Sequence, residues 1–172
     1  VRYPRGSGPG TAIVAEMSAL PIGRAELRRR GDGGLALLAF GAMVMPATAL
    51  AERLDATLVN MRFIKPLDTA MLREIALSHA GLVTLEDNVI AGGAGSACSE
   101  ALDAEGIATP RLHLGIPDRI VEHGSRDDCL AAAGLDLASL SAAIERWRSD
   151  TPALKPARSA TRLTAAGGVG PS

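Results

Sequence analysis

The chain has 172 residues, a mass of 17.7 kDa and a net charge of −1. That size suits one ordinary domain, and that charge offers no basic field to a nucleic acid or an anionic membrane. Hydrophobic residues make up 47% but aromatics only 2%, so the core is expected to be aliphatic, and the low aromatic count argues against base stacking on single strands.

Residues 1–22 are rich in Gly and Pro and read as loop or linker. Ala25 to Arg30 reads as a short strand carrying Arg28, Arg29 and Arg30. Gly31-Asp32-Gly33-Gly34 is turn chemistry. Leu35 to Phe40 is a continuous apolar run, as a strand covered on both faces requires. The short connection predicts a hairpin between these two strands, with the arginine-rich one as a charged antiparallel edge.

A helix is predicted over 45–54, with Leu50 and Leu54 one turn apart. Thr57 to Phe63 is the next strand, ended by Lys65-Pro66. Asp68 is placed to cap a helix whose face includes Leu72, Ile75, Ala76 and His79, with Gly81 as its stop. Leu82 to Leu85 is a strand ending at Glu86-Asp87-Asn88. Gly92-Gly93-Ala94-Gly95-Ser96 opens a helix of about ten residues. Arg111 to Ile116 is the last strand, and helical segments follow near 127–133 and 137–148. This alternation predicts an open α/β sheet with helices on both faces, mostly parallel with one antiparallel edge. Residues 149–172 lack periodicity and hold Lys155, Arg158 and Arg162, the pattern of a disordered basic tail.

Several chemistry-bearing residues have plain structural readings. Cys98 and Cys129 lack any metal-site spacing. The glycine loop fails the dinucleotide pattern, because Cys98 stands where the third glycine or alanine belongs. His79 sits at a helix end and His113 inside a strand. His123 has Glu122 and Ser125 as neighbours, but adjacency in sequence does not make a triad. No apolar run approaches the roughly 20 residues of a membrane span and no signal peptide is visible, so a cytoplasmic location is the expectation.

Ligands of such sheets sit beyond the carboxyl ends of the strands, where Gly41, Arg62 and Glu86 fall. Strand alternation would put Leu58, Asn60 and Arg62 on one face. Two readings of Arg62 stand open: a guanidinium aimed at an anionic ligand, or an ion pair with Glu86 or Asp87. Arg2, in Arg2-Tyr3-Pro4-Arg5-Gly6, has two readings as well, an anion nest or a basic linker.

Taken in order, six blocks carry a resemblance: Val1-Arg2-Tyr3-Pro4-Arg5-Gly6, Pro21-Ile22-Gly23, Val59-Asn60-Met61-Arg62-Phe63-Ile64-Lys65-Pro66-Leu67-Asp68, Leu82 through Asn88, Gly92 through Ser96, and Leu114-Gly115-Ile116-Pro117-Asp118. Over about residues 1–148 they resemble the C-terminal part of the 1-deoxy-D-xylulose-5-phosphate synthases, transketolase-like thiamine diphosphate enzymes. The resemblance implies a three-layer sandwich around a five-stranded mixed sheet of the transketolase C-terminal type. Residues 1–22 would close a preceding pyrimidine-binding domain, 23–148 would form the C-terminal domain, and 149–172 the tail. It implies condensation of pyruvate with glyceraldehyde 3-phosphate, with loss of carbon dioxide, by a homodimer. That product would serve isoprenoid, thiamine and pyridoxal synthesis. Thiamine diphosphate and Mg²⁺ would be held by upstream domains of the same chain and none by this part. Arg2 and Arg62 match the family's two phosphate-binding arginines, and no catalytic, cofactor or metal residue is carried over. This stretch alone would be inactive. The start on Val1, with no methionine, agrees with the tail end of a larger protein. The alternatives are the C-terminal domain of a transketolase or of a 2-oxo acid dehydrogenase β-subunit, or a stand-alone non-catalytic binding module.

Overall fold

A computed structural model describes residues 18–154, together with residues 10, 15 and 16. Twelve elements run in chain order: β1 (Glu26–Arg29), β2 (Leu35–Ala39), a 3₁₀ turn (Gly41–Met43), α1 (Val44–Leu54), β3 (Thr57–Asn60), α2 (Thr69–Ser78), β4 (Gly81–Val89), α3 (Ala94–Ala104), β5 (Arg111–Ile116), α4 (Arg126–Ala132), α5 (Leu137–Asp150) and a second 3₁₀ turn (Pro152–Leu154). The strands form one sheet in the order β1-β3-β2-β4-β5. β1 is antiparallel to β3, while β2, β3, β4 and β5 pair in parallel.

β2 is buried at every position, and its alternation divides the core. Leu35, Leu37 and Ala39 face one layer with Leu50 of α1 and Leu140 and Ile144 of α5. Ala36, Leu38 and Phe40 face the other with Leu72 and Ile75 of α2 and Cys98 and Leu102 of α3. The result is helices, sheet, helices, the three-layer sandwich expected, with an aliphatic core. Leu154 is buried against Gly81, so α5 and its following turn extend ordered structure into the stretch read as tail. The tail from residue 155 onward lies outside the described residues. Among the described residues, no helix is long and apolar enough to cross a membrane.

The hairpin between β1 and β2 does not form. Both edges of β2 are taken by parallel partners, β3 and β4, so β1 pairs on the outer edge of β3. The connection between β1 and β2 crosses the start of β3 at close quarters. The Gly31 N–H donates to Thr57 Oγ1 (2.9 Å) and the Asp32 N–H to the Asp55 carbonyl (3.1 Å). A Cβ at Gly31 would strike the backbone at Asp55 and Ala56. Arg29 then clamps the same corner, donating to the Ala56 carbonyl (2.7 Å) and pairing with Asp55 (2.5 Å).

Three other boundaries depart from the sequence reading. β3 stops at Asn60 rather than Phe63. α2 ends at Ser78, and Gly81 is instead the first residue of β4. β4 runs on to Val89 with an irregularity between Leu85 and Val89. The helix caps follow elementary chemistry: Asp68 accepts from the Met71 N–H (3.0 Å), and Asp136 accepts from those of Ala138 and Ser139 (3.0 Å each). The hydrogen bonds from Ser139 hold the Asp136 carboxyl below its ordinary pKa.

His79 is the C-cap of α2, its ring bonded to the Ile75 carbonyl (2.9 Å) and Thr57 Oγ1 (2.7 Å). His113 is satisfied within the fold, its ring nitrogens meeting Thr84 Oγ1 (2.7 Å) and Ser99 Oγ (2.8 Å). Burial, and then the charge of Arg111, lower its pKa from the ordinary 6.5, with Glu86 opposing. The native state therefore keeps His113 neutral at a pH where the unfolded chain is protonated. Its contribution to stability is present above the unfolded value of 6.5 and is lost as pH falls below it.

Two outcomes are expected. Gly31→Ala should destabilise the chain by about 1–3 kcal/mol and strip amide-exchange protection from β1 before the central strands; unchanged protection of β1 would contradict this crossing. Thermal melts of the chain should show stability falling from about pH 7 to about pH 5, with a shallower slope in His113→Asn. An equal slope in both proteins would remove His113 as the cause.

Candidate functional site at the carboxyl edge of the sheet

The parallel strands end together at one edge, which is where an open α/β sheet receives ligands. β2 leads into Gly41, whose added Cβ would lie 3.9 Å from Asp87 Oδ1 at the end of β4. β3 leads into Met61-Arg62-Phe63.

The Glu86 carboxylate is committed within the fold. It is buried and accepts from the Ala94 N–H (2.8 Å) and the Gly95 N–H (2.9 Å). The first amides of α3 thus receive an anion from within the fold, which is stabilising at a helix N-terminus. The approach is so close that a Cβ at Gly93 would lie 2.5 Å from Glu86 Oε2, and one at Gly95 2.5 Å from Thr84 Oγ1. The glycine loop is therefore a packed strand-to-helix turn, and its helix terminus is already filled. Cys98, on the same helix, is buried, and its thiol is pushed up to about 12 by that burial and by Glu86.

Arg62 lies just past β3 and not on a strand face. Its φ is +57°, a conformation uncommon for a residue with a Cβ. Its neighbours close a three-residue turn, the Phe63 N–H donating to the Met61 carbonyl (2.5 Å). The Arg62 N–H donates to Asn60 Oδ1 (3.2 Å), and the Met61 N–H donates to the Ala39 carbonyl (3.0 Å), which ties the turn to the end of β2. The strain is thus borne by a bend that lifts the side chain out of the sheet.

The carboxylate that meets Arg62 is neither Glu86 nor Asp87 but Glu26, on the edge strand, at 2.9 Å from Nη2. The same Oε2 of Glu26 forms an ion pair with Arg28 Nε (2.9 Å) and accepts from Asn60 Nδ2 (3.4 Å). The Arg62 side chain is about one-fifth exposed (22%), enough to meet a ligand at the edge. Sequence reading missed Glu26. The signal available was one acid set among Arg24, Arg28, Arg29 and Arg30, but its partner could not be named while β1 was assigned to the wrong neighbour. Arg2, the second predicted phosphate ligand, lies outside the described residues, as does Arg5.

A separate surface cleft of about 250 Å³ is lined by residues that include Asp87, Ile116, His123, Arg126 and Cys129. Ser125 is committed to capping α4, accepting from the Asp128 N–H (3.2 Å) and donating to its carboxylate (2.6 Å). The Cys129 thiol donates to the Glu122 carbonyl (3.5 Å). These contacts give His123 no activated nucleophile. No cluster of three or more His, Cys, Asp or Glu among the described residues could hold a metal ion.

Comparison with known proteins agrees with this architecture. Residues 23–140 match the family described as "Transketolase, C-terminal domain". The chain is 59% identical over 152 residues to the 1-deoxy-D-xylulose-5-phosphate synthase of Thioalkalivibrio sulfidiphilus, a match covering 88% of this chain and 24% of the relative. It is 56% identical over 162 residues to that of Xanthomonas euvesicatoria, covering 91% and 25%. The chain thus spans about a quarter of the length of these curated relatives, and its similarity is to their C-terminal region. Among solved structures, a "Split gene transketolase, inactive beta4 tetramer" superposes with a TM-score of 0.68 at 28% identity, over 74% of this chain and 43% of that one. A five-stranded mixed sheet between helical layers, and a sequence match over most of its length, make this chain a member of the transketolase C-terminal domain family.

Proposed function

We propose that this chain is the C-terminal part of a 1-deoxy-D-xylulose-5-phosphate synthase, and that Arg62 grips the phosphate of the acceptor, glyceraldehyde 3-phosphate. Arg2 is the proposed second grip. The observation that carries the reading is Arg62 itself, at φ +57° just past the end of β3, with its partly exposed guanidinium beside Glu26 at the carboxyl edge. A planar guanidinium suits a phosphate headgroup.

In the complete enzyme, the decarboxylation and carbon–carbon bond chemistry would be supplied by thiamine diphosphate with Mg²⁺. The described residues do not fit that group: the N-terminus of α3 is filled by Glu86 and the donor set for a metal is missing among them. Its binding falls to the upstream domains in this proposal. What this chain contributes is remote binding energy. Holding the phosphate positions the aldehyde carbon for attack without touching it, and energy gained there can be used for orientation. A cytoplasmic homodimer is the proposed assembly.

Arg62→Ala in the complete enzyme should raise the KM for glyceraldehyde 3-phosphate roughly tenfold to a hundredfold, the worth of a hydrogen bond to a charged group. The KM for pyruvate should hardly move. An unchanged acceptor KM would remove Arg62 from the phosphate site. Separately, the isolated chain supplied with thiamine diphosphate and Mg²⁺ should form no 1-deoxyxylulose 5-phosphate; measurable product would show that it holds the cofactor after all.

A further inference from the structure

Arg62 is held at both ends. Its backbone N–H donates to Asn60 Oδ1 (3.2 Å), the other end of that amide reaches Glu26 Oε2 (3.4 Å), and Glu26 Oε2 meets Arg62 Nη2 (2.9 Å). Three residues thereby close a ring in which the strained turn, the amide and the guanidinium fix one another. The ring depends on register, because Glu26 stands directly opposite Asn60 in the β1–β3 pairing.

The closest contact between Glu26 and Arg62 is at Nη2 (2.9 Å), and among the described residues Glu26 is the carboxylate that pairs with Arg62. Glu26 also pairs with Arg28 (2.9 Å). Two guanidinium groups on one carboxylate leave a net positive charge, so an anion is still attracted.

We propose that Glu26 is a positioning residue for the acceptor phosphate: through the ring with Asn60 it holds the Arg62 guanidinium in one place at the carboxyl edge of the sheet. The inference rests on the reading that Arg62 binds that phosphate. A long side chain left unanchored samples many rotamers and must be ordered anew by each ligand. Glu26 removes that cost in advance. A competing carboxylate sitting in the phosphate's own place would act with the opposite sign, since removing it would strengthen binding.

The test is steady-state kinetics on the complete enzyme carrying Glu26→Ala or Glu26→Gln, with Arg62→Ala run in parallel. Glyceraldehyde 3-phosphate and unphosphorylated glyceraldehyde serve as the two acceptors. Glu26→Ala is expected to raise the KM for the phosphorylated acceptor roughly three- to tenfold, the size of one net hydrogen bond. It should leave kcat and the response to the unphosphorylated acceptor unchanged. Glu26→Gln keeps the shape and one acceptor oxygen, so it should lie between wild type and Ala, and it carries the test if Ala fails to fold. A KM that is unchanged or lowered, or that rises equally for both acceptors, overturns the proposal. If Arg62→Ala moves the phosphorylated acceptor's KM and neither Glu26 variant does, only the role of Glu26 fails. If Arg62→Ala leaves it unmoved, the phosphate reading fails and takes this inference with it.

Discussion

Burial of β2 on both faces is the constraint from which the rest of this domain follows. A strand of five apolar residues has no polar face to turn to water, so it must lie inside the sheet with helices above and below. Its backbone groups then require partners on both sides, and β3 and β4 supply them. Nothing remains of β2 for β1 to pair with. The edge strand is displaced by one position, onto β3, and that displacement brings Glu26 opposite Asn60 and within reach of Arg62.

Two carboxylates near the carboxyl edge of the sheet act in opposite directions. Glu86 is taken inward, where the first amides of α3 receive it. It closes the place where an α/β fold most readily binds phosphate. Glu26 lies at the edge and pairs with Arg62 at Nη2. In the proposed role, the attraction for an anion comes from a side chain and not from a helix terminus, and its fork gives direction as well as charge.

The histidines and cysteines fit the same economy. His79 and His113 tie helices to strands through hydroxyl and carbonyl partners, and Cys98 fills space in the core. Each is a residue type that chemistry often uses, and here each is occupied by packing. What stands out instead is a backbone feature, a bulky residue at positive φ, which costs stability and persists only where the surroundings impose it.

The local pattern was enough to determine the layers, the positions of the helices, the cap at Asp68 and the aliphatic core, and it singled out Arg62 for attention. Those follow from period, turn chemistry and a specific block of residues, all of which are short-range. Pairing between strands is different, because it is decided by which edges remain unfilled once the buried strand has taken its partners. The sequence shows Glu26 as an acid among arginines and Arg62 as a charge at a strand end. Only the folded chain joins them, since the register of β1 on β3 and the bend after Asn60 depend on contacts far apart along the chain.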